Sequence, residues 1–338
     1  MKLNRDLLKS LFVYQNLRKF YLYGDCGNRK TFDILTSVLS IDLEFFRYNK
    51  ILVAVAKFMD ECYSYTNHIL TQRMHRYSAY YEETKKIFRE FDKEGLKAVC
   101  IKSFGSTHKD IGDIDILLQD RESLRAAEAI LAKLGYKNRF QGSEEHQWSI
   151  IKDGVIIDID LHTEIAASKF IYYPKDKLFR RVEKRDDIYV PSPVDFLLIL
   201  VAHALIKDLY LTLADVLEFE VSVKKHKLDL NYLLDEAAHY GLKLPLKAFA
   251  HMTRLLNVDI YEGLTPSRFL SSNINKYPLR PGIHVVLSSY LELTITKLKH
   301  EGAKKVLQQV MSLPSGKGIA LLIRYLFGVK PEVKALNE

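Results

Sequence analysis

The residues with β-forming character in this chain are gathered into one stretch, and the sequence on either side carries helical periodicity. That confinement limits the fold more than any other feature. A chain patterned this way builds one small sheet and buries it with helices. Residues 97–104 are apolar and rich in β-formers. In residues 113–118, Asp113 and Asp115 share one face of a strand, while Ile114, Ile116 and Leu118 share the other. Residues 155–161 repeat the pattern, with Asp158 and Asp160 opposite Val155, Ile157, Ile159 and Leu161. A further strand, 147–151, joins 155–161 across Lys152-Asp153-Gly154, a hairpin signal. Trp148 is expected to pack beneath that hairpin. Between the strands, 120–134 reads as a helix: Asp120 is its cap, Leu124, Ala127, Leu131 and Leu134 are helically spaced, and Gly135 is its stop.

Residues 1 to about 93 read as helical, with Leu7, Leu8, Leu11 and Phe12 on one face and a turn at Gly27-Asn28. Tyr63, Tyr65, Tyr77, Tyr80 and Tyr81 read as amphipathic packing, with base stacking as the alternative. Ser192-Pro193-Val194-Asp195 starts another helix. Residues 196–202 then form a buried core helix, and helical periodicity continues to about residue 328. The expected fold class is therefore α+β. A small mixed-sheet module at 86–187 is flanked by a helical region at 1–85 and a helical domain at 188–338.

Hydrophobic residues make up 48% of the 338 and charged residues 27%, which excludes a disordered chain and supplies a sizeable core. No run of about 18 apolar residues exists, so no membrane span is expected. The opening Met1-Lys2-Leu3-Asn4-Arg5-Asp6 does not read as a secretory signal. Cys26, Cys62 and Cys100 are odd in number and far apart, which predicts neither a disulfide framework nor a zinc knuckle and fits a reducing, cytoplasmic setting. The net charge of +8 permits an anionic partner such as RNA, DNA or a nucleotide. Arg180, Arg181, Lys184 and Arg185 form a basic cluster, read as a solvated face with nucleic-acid contact as the alternative.

Chemistry is expected where the two acid strands meet. If they are sheet neighbours, three or four carboxylates converge, and like charges at that distance require a proton or a cation. Oxygen ligands of this kind suit Mg²⁺ or Mn²⁺, and two such ions can hold a triphosphate and activate an attacking oxygen. Upstream, Gly105-Ser106 directly follows a strand: glycine lets the backbone approach a phosphate, and Ser106 adds a hydroxyl and an N–H. Lys102, His108 and Lys109 are the nearby cationic candidates. His162 shares the face of Asp160 and is read as a hydrogen-bonding neighbour of the site. His203 reads as a core histidine and Asp215 as a helix-positioning residue.

The order Phe104-Gly105-Ser106, Asp113-Ile114-Asp115, then Asp160 or Asp158, resembles the nucleotidyltransferase superfamily that includes DNA polymerase beta. Asp160-Leu161-His162 and the helices that follow are similar to uncharacterised bacterial and archaeal nucleotidyltransferases, including the AbiEii-like group of toxin–antitoxin systems. The likeness covers roughly residues 75 to 250. Six residues separate Ser106 from Asp113, fewer than that superfamily commonly uses, which implies either a tight phosphate loop or a larger share of the phosphate binding for Lys102.

The resemblance implies transfer of a nucleoside monophosphate from an NTP such as ATP, with release of pyrophosphate. Asp113 and Asp115 would hold two Mg²⁺ or Mn²⁺ ions, with Asp160 and Asp158 as the further acids, and Gly105 and Ser106 would hold the β- and γ-phosphates. An RNA 3′ end, such as that of tRNA, is the acceptor the basic balance favours; a protein hydroxyl or a small molecule are the alternatives. The competing readings are a non-catalytic binding module acting as a toxin–antitoxin partner or homo-oligomer, and a metal-dependent phosphohydrolase.

Overall fold

The structure, a computed structural model, describes residues 5–142, 145–167, 170–253 and 280–312. Helices α1 (Arg5–Tyr23), α2 (Arg29–Ile41), α3 (Leu43–Tyr48), α4 (Leu52–Tyr63) and α5 (His68–Lys93) come first. The mixed segment runs β1 (Ala98–Cys100), β2 (Ile114–Leu118), α6 (Arg121–Lys133), β3 (Lys137–Gln141), β4 (Glu145–Lys152), β5 (Val155–His162), β6 (Ile165–Ala167), β7 (Phe170–Tyr173), α7 (Lys175–Arg180), β8 (Glu183–Arg185) and β9 (Ile188–Val190). After it come α8 (Pro193–Ala202), a π-helical turn (His203–Asp208), α9 (Leu213–Lys225), α10 (Leu230–His239), α11 (Lys243–Thr253), α12 (Ile283–Glu301) and α13 (Ala303–Ser312). The protein is a mixed α+β fold with a small mixed sheet, as the confinement of the β-formers predicts. The helical periodicity expected at 254–279 and beyond 312 lies outside the described residues.

Contacts divide the chain into two compact units. One comprises Met1–Met74, Gly105–Asp110 and Leu200–His300; the other comprises His75–Phe104, Ile111–Ile199 and Glu301–Glu338. Each is assembled from separated stretches of sequence.

The second unit contains the five-stranded sheet, in the order β1-β2-β5-β4-β3. Only β2 and β5 run parallel; β1 with β2, β4 with β5 and β3 with β4 are antiparallel. A parallel pair needs a crossover, supplied here by the segment from α6 to β4. Ile114, Ile116 and Leu118 turn into a core shared with Tyr80, Ile87, Phe88 and Phe91 of α5 and Ala127, Ile130 and Leu131 of α6. Each fully buried aliphatic or aromatic side chain in such a core contributes about 1.5–3 kcal/mol. Asp120 caps α6 by accepting from the Ser123 N–H at 2.8 Å, and Gly135 follows it with φ +91°, a left-handed stop. Asp153 and Gly154, with φ of 49° and 76°, make the two-residue turn between β4 and β5. Trp148 lies on β4 opposite Ile159 and is 8% exposed.

The strand β3 was not anticipated, because all five of its residues are exposed and carry no alternation. The strands β6 to β9 span only three or four residues each, too few for a period to register.

The Tyr80 hydroxyl links the entry to β2 with β5. It lies 3.1 Å from the Gly112 carbonyl and 3.0 Å from the Ile156 carbonyl, and it accepts from Arg76 at 2.8 Å and from the Asp158 N–H at 3.3 Å. Burial pushes its pKa up to about 12, so it remains a donor under ordinary conditions. The structural reading of this tyrosine is therefore the one realised.

In the first unit, α9 is buried on all sides from Val216 to Ser222 and carries two glutamates. Glu220 accepts from Tyr14 and Arg18 of α1, with Arg18 Nε at 2.8 Å, and pairs with Lys224 at 2.9 Å. Burial works to raise its pKa, but those partners hold it below the usual carboxylate value. Thr212 and Asp215 form a capping box at the start of α9, which gives Asp215 its helix-positioning role. The His203 Nδ1 lies 3.3 Å from Asp208 Oδ2 within the π-helical turn, so this half-buried ring is held by a carboxylate and is not enclosed in the core.

The cysteine expectation is corrected here: Cys26 and Cys62 form a disulfide, with Cα atoms 5.2 Å apart, while the buried Cys100 takes no part in a disulfide. A separation of 36 residues hid this, because the α1–α2 turn and the end of α4 meet only through helix packing. No helix among the described residues is long and apolar enough to cross a membrane.

Replacing Tyr80 by Phe is expected to lower stability by about 1–3 kcal/mol, because buried carbonyl and guanidinium groups lose their shared partner. A urea unfolding curve with an unchanged slope and an earlier midpoint would verify this.

Candidate active site

The register of β2 against β5 sets Asp115 directly beside Asp160 and Leu117 beside His162. In a parallel pair, register partners project to the same face, and His162 lies two residues beyond Asp160 on that face. Asp115, Asp160 and His162 consequently offer ligand atoms that all lie within 4.8 Å of one another. All three are buried, at 5%, 5% and 7% exposure. The His162 Nε2 is 3.0 Å from Asp115 Oδ1. Gln147, paired with Asp160 across β4 and β5, reaches its Oδ2 at 3.5 Å.

Two carboxylates this close and this buried repel each other and are desolvated, so a proton or a positive charge must lie with them. Lys102 supplies it, with Nζ 2.7 Å from Asp115 Oδ1. Its position follows from the sheet: the Ile101 N–H bonds the Asp115 carbonyl at 3.0 Å, extending β1 by one residue and delivering the next side chain to the acids. Burial works to lower the Lys102 pKa, but the charges of Asp115 and Asp113 outweigh it and hold the ammonium above its ordinary value.

The acids anticipated from sequence are thus distributed unevenly. Asp115 and Asp160 join the cluster, and of the two alternatives for the third acid it is Asp160 that does so. Asp113 precedes β2, half-buried, and its carbonyl lies 3.3 Å from Ser103 Oγ. Asp158 is half-buried on β5. Among the described residues, neither belongs to the cluster around Asp115. His162 is the member that sequence reading gave a lesser role. Its signal was present in the two-residue spacing from Asp160.

A donor set of two carboxylates and one imidazole fits a divalent cation. The oxygens suit Mg²⁺ or Mn²⁺, and the imidazole shifts the balance toward Mn²⁺.

The Gly105–Asp110 loop belongs to the first unit and is tied down there. The Asp110 N–H bonds the Lys50 carbonyl at 3.1 Å, and its carboxylate accepts from the Leu52 N–H at 2.7 Å. The Ser106 N–H donates to Glu218 Oε1 at 2.5 Å. Lys109 is half-buried in the same loop. His108 is not the cation expected from sequence. Burial, with Lys57 and Lys225 nearby, lowers its pKa to about 4, so the ring is neutral near pH 7.

The basic cluster is also largely engaged within the chain. Arg181 bonds the fully buried Asp195, Lys184 pairs with Asp92 at 2.8 Å, and Arg185 pairs with Glu183 at 3.1 Å.

The sequence model of a family described as uncharacterised nucleotidyltransferase matches residues 67–257, more than half of the chain. No curated protein and no solved structure matches the chain.

Two outcomes follow from this geometry. Mn²⁺ is expected to raise the melting temperature, by the equivalent of about 2.7 kcal/mol at a hundredfold excess over its dissociation constant. Asp160→Asn and His162→Ala should each suppress that rise in a thermal-shift titration. Separately, the His108 ring binds a proton more weakly in the fold than in the unfolded chain, whose pKa is near 6.5. Stability is therefore lost as pH falls from about 6.5 toward 4. The upper bound is about 3 kcal/mol, reduced by solvent screening on a half-buried ring. Chemical denaturation at pH 7 and pH 5 should show a smaller loss in His108→Asn than in the parent protein.

Proposed function

We propose, on the premise that the chain belongs to the uncharacterised nucleotidyltransferase family, that it transfers a nucleoside monophosphate from an NTP to an acceptor hydroxyl. The acceptor oxygen forms a bond to the α-phosphorus, the bond from that phosphorus to the β-bridging oxygen breaks, and pyrophosphate leaves. The observation that carries this reading is the buried Asp115–Asp160–His162 cluster on two paired strands with Lys102 against it. We assign the catalytic module to residues 86–187.

Asp115, Asp160 and His162 would hold a divalent cation, with Asp113 available for the second Mg²⁺ or Mn²⁺ that the superfamily's chemistry implies. Such ions, when bound, supply the positive charge that steadies a triphosphate and eases ionisation of the acceptor hydroxyl. Asp160 accepts a hydrogen bond from the acceptor hydroxyl and is the first station for its proton. Lys102 provides a fixed ammonium for phosphate oxygens, and the Gln147 amide holds the Asp160 carboxylate in orientation. The net charge of +8 favours an RNA 3′ end, such as that of tRNA, as acceptor. The likeness of Asp160-Leu161-His162 to the AbiEii-like group belongs to this proposal.

A second reading rests on one observation. Lys102 already neutralises Asp115, so the cluster can stand without a metal, as a binding module would require.

Incubation with Mg²⁺ or Mn²⁺, each of four α-³²P-labelled NTPs, and tRNA, DNA or no added acceptor separates the two. Label on RNA is expected, reduced at least a hundredfold in the Asp115→Asn, Asp160→Asn double variant, on the scale of lost metal and charge stabilisation. Label on the protein itself would redirect the acceptor to a protein hydroxyl. No label with either metal, together with no metal-dependent thermal shift, would establish the binding module.

A further inference from the structure

The loop after β1 has the features of a phosphate cradle, yet its donors already hold an anion that belongs to the chain. The Glu218 carboxylate, on α9, is fully buried. Its Oε1 accepts from the Ser106 N–H at 2.5 Å and from Ser222 Oγ at 2.9 Å. Its Oε2 accepts from the Thr107 N–H at 2.8 Å and from Thr107 Oγ1 at 2.5 Å. Ser222 Oγ also reaches Ser106 Oγ at 2.9 Å, joining helix and loop a second time. Two consecutive backbone N–H groups and two hydroxyls thus converge on one carboxylate, the donor arrangement a phosphate oxygen pair would meet. Among the described residues, no lysine or arginine forms an ion pair with Glu218.

Gly105 serves the same contact. A Cβ at that position would overlap the Glu218 carboxylate, so any larger residue would have to displace that carboxylate from the loop. Glycine is needed here for the close approach of an anion, as the sequence suggests, but the anion is Glu218.

We propose that Glu218 is a positioning residue. It is the resident anion of the Gly105–Thr107 loop, fixing the chain between β1 and β2, and it uses the donors that sequence reasoning assigned to the β- and γ-phosphates. Nucleotide phosphates are consequently bound by other groups of the chain, Lys102 foremost. This deepens the transferase reading and rests on it for the nucleotide, though not for the role of Glu218 in the loop.

Two measurements test it. In Glu218→Ala, the orphaned donors should lower the melting temperature by about 5–10 °C. Acetate or formate, entering as the missing carboxylate, should restore part of that loss where chloride at equal ionic strength does not. In the second, NTP affinity is measured with a fluorescent NTP analogue. Ser106→Ala and Thr107→Val should bind it within about threefold of the parent protein. A charge-assisted hydrogen bond to phosphate from either would instead cost about tenfold or more on removal. Tenfold weaker binding in these variants, or tighter binding in Glu218→Ala, would overturn the proposal and make the loop a phosphate site that Glu218 plugs. A parent protein that binds no nucleotide would count against the transferase reading alone. The carboxylate rescue would then still decide the role of Glu218: rescue upholds it, and absence of both destabilisation and rescue removes it.

Discussion

Two carboxyl groups cannot both be ionised side by side in a sheet, away from water, unless positive charge lies with them. The parallel pairing of β2 with β5 imposes that requirement by setting Asp115 level with Asp160. Much of the second unit can be understood as meeting it. The antiparallel β1 extends to Ile101 and so delivers Lys102 to Asp115. The strand β4 brings Gln147 to Asp160. Helix α5 places the Tyr80 hydroxyl where the two acid-bearing strands begin. The apolar faces of the same strands bury Ile114, Ile116, Ile157 and Ile159 completely, which holds the register against slippage by even one residue.

Much of this was legible in the sequence. The alternation in 113–118 and 155–161 identifies the strands and the face the acids share, because a period of two is a direct consequence of strand geometry. Asp120 and Gly135 delimit α6 by cap chemistry that needs no tertiary context. What escaped detection depends on contacts distant in sequence. Cys26 and Cys62 are neighbours only once α1, α2 and α4 have packed. The basic cluster at 180–185 looks free until Asp92 and Asp195 are seen beside it. Lys102 was noted as a phosphate partner, but its ion pair with Asp115 depends on the antiparallel register of β1. Glu218, 112 residues from Ser106, gives no local signal at all.

Helix α9 shows how one element can serve two purposes. Being buried all round, it has no solvated face for polar residues, so each glutamate it carries must be satisfied by a specific neighbour. Glu220 is satisfied by charge, from Arg18 and Lys224. Glu218 is satisfied by neutral donors, from backbone N–H groups and hydroxyls. The first solution tolerates motion, since long cationic side chains can follow a carboxylate. The second does not, because backbone N–H groups are fixed by the chain itself. A loop held by the second kind of contact inherits the rigidity of the helix.

The placement of Trp148 has a consequence of a different kind. It is the single tryptophan of the chain, and it lies on β4 opposite Ile159, the residue immediately before Asp160. Its indole is nearly enclosed, and among the described residues its ring N–H meets no acceptor. Tryptophan emission, excited selectively at wavelengths where tyrosine does not absorb, therefore originates at one point, in apolar surroundings, on the face of the sheet opposite the acids. The chain carries its own spectroscopic probe behind the site, on the core face of the sheet, and a change in the strand that bears Asp160 can be followed by intrinsic fluorescence without a label.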